Sequence, residues 1–284
     1  MAHEIVHALQ DQRWDLRTFA KDRRGETDLE TALSSLFEGD ATLAGLLWEL
    51  ADRGQPLDAS ALAANSAMLS KTLETAMQAA QWGLLPGTRG LRSAPLFLRK
   101  RLIRPYIDGL QLCISRSRGK HGFTGVDALY RQPPLSMEQV LHPEKIGRDF
   151  PVKLRVKGLE RLTGGRLLLS DTLGELYIAT VLSTFGPESR AKAAAAGWGG
   201  DRLHLIHAHG RDRLLWVTTW DAVAEAREFE RALSAGAHGW RGPVVVERRE
   251  RDVWVLRGWT QVKAKALIKA ASGALKRRRL RKLW

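Results

Sequence analysis

Residues 2–14 read AHEIVHALQDQRW, and His3, Glu4 and His7 stand at the spacing H-E-x-x-H. Ala2, Ile5, Val6, Leu9 and Trp14 recur near the helical period, which predicts a helix from residue 1 to about residue 20, broken at Gly25. On a helix, residues four apart share a face, so His3 and His7 can reach one cation. Glu4 then points beside that cation, where a general base acting on water belongs. A catalytic zinc ion takes three protein ligands and keeps one position open. Cys113 is the sole cysteine, so neither a thiolate cage nor an intrachain disulfide can form. Gln10 and Arg13 stand where a longer zinc motif would place glycine and a third histidine. The third ligand is therefore expected to be a carboxylate on a following helix. Glu38 in SSLFEGDATL is the best placed, with Gly39 leaving room for the two helices to approach. Asp11, four residues after His7, is the expected acceptor for a ligand's free ring N–H. The competing reading is a surface helix with two ordinary histidines.

Outward from this helix, Asp28 can cap a second one, with Leu33, Leu36, Phe37, Leu43, Leu47 and Leu50 along its body. Residues 59–82 predict an alanine-rich helix. Residues 96–116 predict another, kinked or restarted at Pro105. Ser136 sits at the N-cap position before MEQVL. After about residue 150 the pattern changes. FPVKLRV alternates, Gly164-Gly165 marks a turn, and LGELYIATVLSTFG and ESRAKAAAAG read as helices. DRLHLIHAHG and DRLLWVTTW form a predicted hairpin, followed by a helix capped at Asp221. GPVVVERRERDVWVLRGW predicts a second strand pair before the helix TQVKAKALIKAA. The fold class is α+β: a helical half over residues 1–150, then an α+β half over 151–272 with antiparallel strand pairs in the order ββα repeated. Residues 273–284 read as a basic tail.

The 284 residues are 44% hydrophobic, enough for a substantial core, and no run of about 18 apolar residues predicts a transmembrane helix. The formal charge of +14 favours acidic partners. The basic residues are spread along the chain except at its end. We therefore expect a solvated basic surface and no obligate nucleic-acid partner, with LKRRRLRKLW able to touch anionic surfaces peripherally. Residues 1–20 lack the pattern of a signal peptide, so the start as given implies a cytoplasmic protein.

AHEIVHALQDQRWDL followed by LFEGDATL resembles the metal-site core of a bacterial family of gluzincin-like zinc metallopeptidases that are commonly exported. The resemblance continues, in order, through PYIDGLQL, ALYRQPPLSMEQVLHPEKI, DTLGELYIATVL, AAAGWGGDRLHL and TTWDAVAEAREF. It implies a zincin-like helical half, a zinc cofactor held by His3, His7 and Glu38, Glu4 as general base, and a peptide or protein substrate. Family members carry a segment before the H-E-x-x-H helix that builds a sheet for substrate pairing. Its lack here implies a late-called start, with an exported or cell-envelope protein, or a truncated relative. On either count the chain as given is expected to bind zinc weakly and to hydrolyse peptides poorly.

Tyr130 and His142 flank the PPLS segment and are candidates for stabilising an oxyanion or touching substrate. The alternative is a loop tyrosine and a helix-end histidine. Glu175 in LGEL is an alternative carboxylate ligand, or a helix carboxylate paired with arginine. His204, His207 and His209 read as hairpin surface. Two functions compete: a zinc-dependent peptide hydrolase, and a non-catalytic module on the same scaffold whose basic surface binds an acidic protein, anionic lipid or nucleic acid.

Overall fold

The computed structural model describes residues 2–21, 23–54, 71, 75, 89–117 and 122–283. The predicted helix over 59–82 lies outside the described residues, 71 and 75 apart. The chain divides into two compact units: residues 1–22, 29–149 and 282–284 form one, and residues 23–28 and 150–281 the other. The fold is α+β with antiparallel sheets. Among the described residues no helix is long and apolar enough to cross a membrane.

The first unit is helical. Its elements are α1 (Ala2–Trp14), α2 (Leu16–Ala20), the body of α3 (Thr27–Asp52), α4 (Arg89–Ser93), α5 (Leu96–Ser117), α6 (Phe123–Arg131) and α7 (Met137–Leu141). The first helix stops earlier than predicted because Asp15 turns left-handed, with φ 49°. The Asp11 carboxylate accepts the Leu16 N–H at 3.1 Å across this break. On α3, Leu29, Leu33, Leu36 and Leu43 are buried, as the periodicity requires. Pro105 does not interrupt α5. The ring removes one backbone donor, but Ile103, Ile107, Leu110 and Ile114 are buried around it and hold the helix to its core. Ser136 caps α7 as predicted, its Oγ accepting the Gln139 N–H at 3.3 Å.

Gly39 has a different use from the one its neighbourhood suggested. A Cβ there would lie 2.1 Å from the Gly109 carbonyl carbon, and one at Gly109 would lie 1.9 Å from the Ser35 carbonyl oxygen. The glycine pair brings α3 against α5 backbone to backbone, rather than making room for α1.

The second unit contains β1 (Val152–Val156), α8 (Leu159–Thr163), β2 (Arg166–Asp171), α9 (Gly174–Ser183), α10 (Glu188–Ala195), β3 (Trp198–Ala208), β4 (Arg211–Trp220), α11 (Val223–Gly236), β5 (Val244–Arg249), β6 (Asp252–Arg257), α12 (Gln261–Ala274) and β7 (Leu275–Arg279). Five strands form one antiparallel sheet in the order β2-β3-β4-β6-β5. The predicted ββα repeat is β3-β4-α11 followed by β5-β6-α12. His209 and Gly210, at φ 51° and 70°, make the tight turn between β3 and β4. The cap of α11 is Ala222, one residue past the predicted Asp221, and Glu225 accepts the Ala222 N–H at 2.7 Å.

Part of the expected basic tail is a strand. β7 pairs antiparallel with β1 in a separate two-stranded sheet, Leu154 opposite Arg277 and Val156 opposite Leu275. Leu154, Val156 and Leu275 enter the core with Ile206, Leu215, Trp254, Leu256 and Ile268. Burial of one apolar face stabilises the ribbon despite its charges. β1 passes over β3 at Gly200, where a Cβ would lie 2.1 Å from the Val152 carbonyl oxygen.

Asp201 on β3 is fully buried. Its carboxylate accepts N–H bonds from Leu173 at 3.1 Å, Gly174 at 2.9 Å, and the Trp198 and Trp216 indoles at 3.0 Å each. These donors fix the first turn of α9 and two core tryptophans to one point.

Candidate metal centre

The four-residue spacing on α1 stacks the two imidazoles edge to face, ring centroids 4.6 Å apart. His3 Nε2 lies 3.1 Å from His7 Nε2. α3 brings Glu38 Oε2 to 3.1 Å from His3 Nε2 and 3.4 Å from His7 Nε2. All three side chains are about three-quarters buried, which leaves one side of the cluster open to solvent.

His7 is held in one tautomer from behind. Its Nδ1 lies 2.8 Å from Gln10 Oε1. The Gln10 amide nitrogen donates to the Phe37 carbonyl at 3.1 Å and to Asp40 Oδ2 at 2.8 Å. Both of those partners accept, so the amide oxygen must face His7 and receive the Nδ1 proton. A neutral His7 therefore turns an Nε2 lone pair toward His3 and Glu38. Asp40 is fixed in turn by the Tyr130 hydroxyl, which donates to Oδ2 at 2.7 Å. Burial raises the Asp40 carboxyl above its ordinary value, against the hydrogen bonds from Tyr130 and Gln10 that favour the carboxylate. Burial, followed by the Asp40 charge, holds the Tyr130 hydroxyl protonated.

Two nitrogens and one carboxylate oxygen thus meet in a triangle with edges of 3.1, 3.1 and 3.4 Å. Donors placed tetrahedrally around zinc at about 2.0–2.1 Å are separated by about 3.3–3.4 Å, so this triangle fits that ion nearly without adjustment. The set has two imidazoles and one carboxylate, with the fourth direction open.

Tyr106 was not singled out in the sequence. Its ring stacks on His3, centroids 5.9 Å apart, and its hydroxyl is hydrogen-bonded to Glu38. Burial first, then the charge of Glu38, raises its pKa and keeps it a donor. It stands three residues before Gly109, and the crossing of Gly109 over α3 carries it to Glu38. That signal becomes visible once the two glycines are known to meet. Gln10 was also missed, because a glutamine on a helix carries no mark of burial; it is 4% exposed.

The remaining expected residues fall as follows. Glu4 is exposed on α1, and its charge reaches Tyr106. Tyr130 does not face the cluster. It is buried between Trp14 and Phe37, with ring centroids 5.0 and 6.1 Å away, and acts through Asp40. His142 ends α7, its backbone N–H donating to the Glu138 carbonyl at 2.8 Å, and it is not one of the converging donors. Asp11 serves the break after α1 in place of a histidine. Glu175 is buried on α9 of the other unit and is not part of the cluster. His207 lies on the exposed hairpin surface as expected, 2.7 Å from Asp212, whereas His204 is buried.

Residues 160–271 match the model of a domain of unknown function, DUF8575, a stretch that lies in the second unit and does not reach the His3–His7–Glu38 cluster. No curated protein and no solved structure matches the chain.

Proposed function

We propose that His3, His7 and Glu38 hold a zinc ion and that the protein is a zinc-dependent peptide hydrolase of gluzincin type. The observation that carries this reading is the triangle of donors, with the His7 tautomer set by Gln10 so that a lone pair faces its centre. Zinc in this triangle would polarise a scissile carbonyl and make a water acidic near neutral pH. Glu4, one residue from His3 and exposed, would serve as the general base for such a water and as the proton donor to the leaving amine. Tyr106 orients the Glu38 carboxylate by its hydrogen bond and shields one face of His3. Gln10 and Asp40 keep His7 from rotating. The open side of the cluster is where an extended peptide would enter.

Two assays test this reading: zinc content by elemental analysis and cleavage of a quenched peptide library. His7→Ala and Glu38→Gln should lose the metal, because each removes a donor. Glu4→Gln should keep the metal and lower turnover by at least about a hundredfold, because it removes the base and leaves the ligands. Zinc content unchanged in His7→Ala would overturn the metal site. Bound zinc without cleavage of any peptide would favour a non-catalytic binding module on this scaffold.

A further inference from the structure

The second unit has an open cavity of about 1150 Å³ whose polar lining is dominated by cations. Lys153, Arg155, Arg161, Arg202 and Arg278 line it, against two carboxylates, Glu26 and Glu160. Some of this charge is used by the fold. Arg202 donates to Ser170 Oγ at 2.7 Å, to the Gly25 carbonyl at 2.8 Å and to Glu26 at 3.2 Å. Lys153 shares Glu26 at 3.4 Å. Arg155, Arg161 and Arg278 have no carboxylate partner among the described residues. Glu160, next to Arg161 in sequence, accepts the Leu167 N–H at 2.9 Å.

The register of the β1–β7 ribbon makes the concentration of charge costlier. Lys153 stands opposite Arg278, and Arg155 opposite Lys276. Directly opposed side chains share a face, so two like-charged pairs lie side by side on it, an arrangement that destabilises a ribbon. The apolar face that holds the ribbon in the core does not require these cations on the other face.

The third observation is His204. It lines the same cavity, is 6% exposed, and neither ring nitrogen has a hydrogen-bond partner. A buried imidazole left unpaired costs free energy, and the fold supplies nothing to offset it.

We propose that this cavity binds a phosphate-bearing ligand with at least two negative charges, held by Arg155, Arg161 and Arg278. Guanidinium groups present paired N–H donors that match phosphate oxygens, and all three unpaired cations are arginines. Leu154, Leu159 and Leu167 give the cavity an apolar wall for the remainder of an organic phosphate. His204 stands in the cavity wall with both ring nitrogens covered, so its ring would have to turn to reach the same ligand. The inference is independent of the metal centre.

Calorimetric titration of the full chain, with chelator present to remove metal, tests the proposal with three probes: orthophosphate, tripolyphosphate and adenosine triphosphate. Tripolyphosphate is expected to bind one to one, at least about tenfold tighter than orthophosphate. Arg155→Gln, Arg161→Gln and Arg278→Gln should each weaken it about tenfold. Arg190→Gln, at an exposed position on α10 outside the cavity, should change it by less than about twofold. Adenosine triphosphate binding tighter than tripolyphosphate identifies an organic phosphate as the ligand class, and equal affinities identify an inorganic polyphosphate. Thermal melts of each variant separate lost binding from lost folding. The proposal is overturned by absence of tripolyphosphate binding at millimolar concentration, or by an equal effect of Arg190→Gln. Single-stranded oligonucleotide binding that exceeds the triphosphate and ignores the three cavity variants would also overturn it.

Discussion

Two aspartates, fully buried Asp201 in the sheet unit and partly buried Asp40 in the helical unit, are used in opposite ways. Asp201 in the sheet unit takes four N–H donors from two backbone amides and two indoles, and passes nothing on. Asp40 in the helical unit takes two donors, Gln10 and Tyr130, and Gln10 relays its orientation to His7. One carboxylate is the end of a network and the other is the middle of one. The difference teaches where to look for function: an acid whose partners all belong to the core fixes the fold, whereas one whose partner continues outward to a partly exposed imidazole orients a candidate site.

Asp201→Ala should break the comparison most severely if it is right. It strands four buried donors, and urea denaturation should show a loss of about 3–5 kcal/mol. A loss below about 1 kcal/mol would mean that water or another acceptor replaces the carboxylate, and Asp201 would not be the anchor described. Gly39→Ala is the matching test in the helical unit. A methyl group there meets the Gly109 backbone, which cannot yield as a flexible side chain would, so α3 and α5 must separate. The expected cost is about 3 kcal/mol by the same measurement, together with weaker zinc binding because Glu38 and Tyr106 sit on the two displaced helices. Unchanged stability would show that the crossing is looser than the contact implies.

Gln10→Ala sharpens the relay. It removes the acceptor of the His7 Nδ1 proton and leaves His3, His7 and Glu38 in place. Zinc affinity, measured by competition with a chromogenic chelator, should fall about 10–100-fold while the melting temperature changes little. Asp40→Asn should weaken zinc less, since Gln10 keeps its bond to the Phe37 carbonyl. Equal zinc affinity in Gln10→Ala and the parent would show that His7 needs no orienting partner.

The helical site was largely legible in the sequence because it is local. His3 and His7 are one turn apart, and Glu38 lies on the next long amphipathic helix, so helical periodicity and ligand chemistry lead to them. Gln10, Asp40 and Tyr106 were not legible, since their roles depend on how three helices cross and on a glycine pair 70 residues apart in sequence. In the sheet unit the hairpins followed from alternation and turn residues. Two strands did not. Arg166–Asp171 is largely exposed and carries a run of three leucines that alternation does not describe. LKRRR has one buried residue, Leu275, so its pairing with β1 is decided by a distant partner rather than by its own pattern. The basic cavity is hidden for the same reason: its arginines come from β1, α8, β3 and β7, and only the folded unit brings them together.

The smallest expected effect is a change in how stability depends on pH, and it separates the two polar groups that β3 buries three residues apart. Burial, with the nearby Arg202 charge, lowers His204 from 6.5 to about 4. The unfolded chain therefore takes up a proton that the folded chain refuses. The stabilising contribution is full above pH 6.5 and is lost as pH falls toward 4. Asp201 acts in the other sense. Burial raises it from 3.8 to about 6, so its contribution is full below 3.8 and is lost as pH rises through 6. Across the shared window the two slopes oppose, and the parent protein should show a nearly flat profile from these groups. His204→Leu removes one slope and an unpaired buried ring together. The variant should gain stability relative to the parent as pH falls from 6.5 to about 4.5, by at most about 1.4 kcal/mol per pH unit. Melting temperatures at half-unit steps of pH resolve this. Parallel curves for the two proteins would mean that His204 titrates as it does in water, and that the cavity wall is wetter than its burial implies.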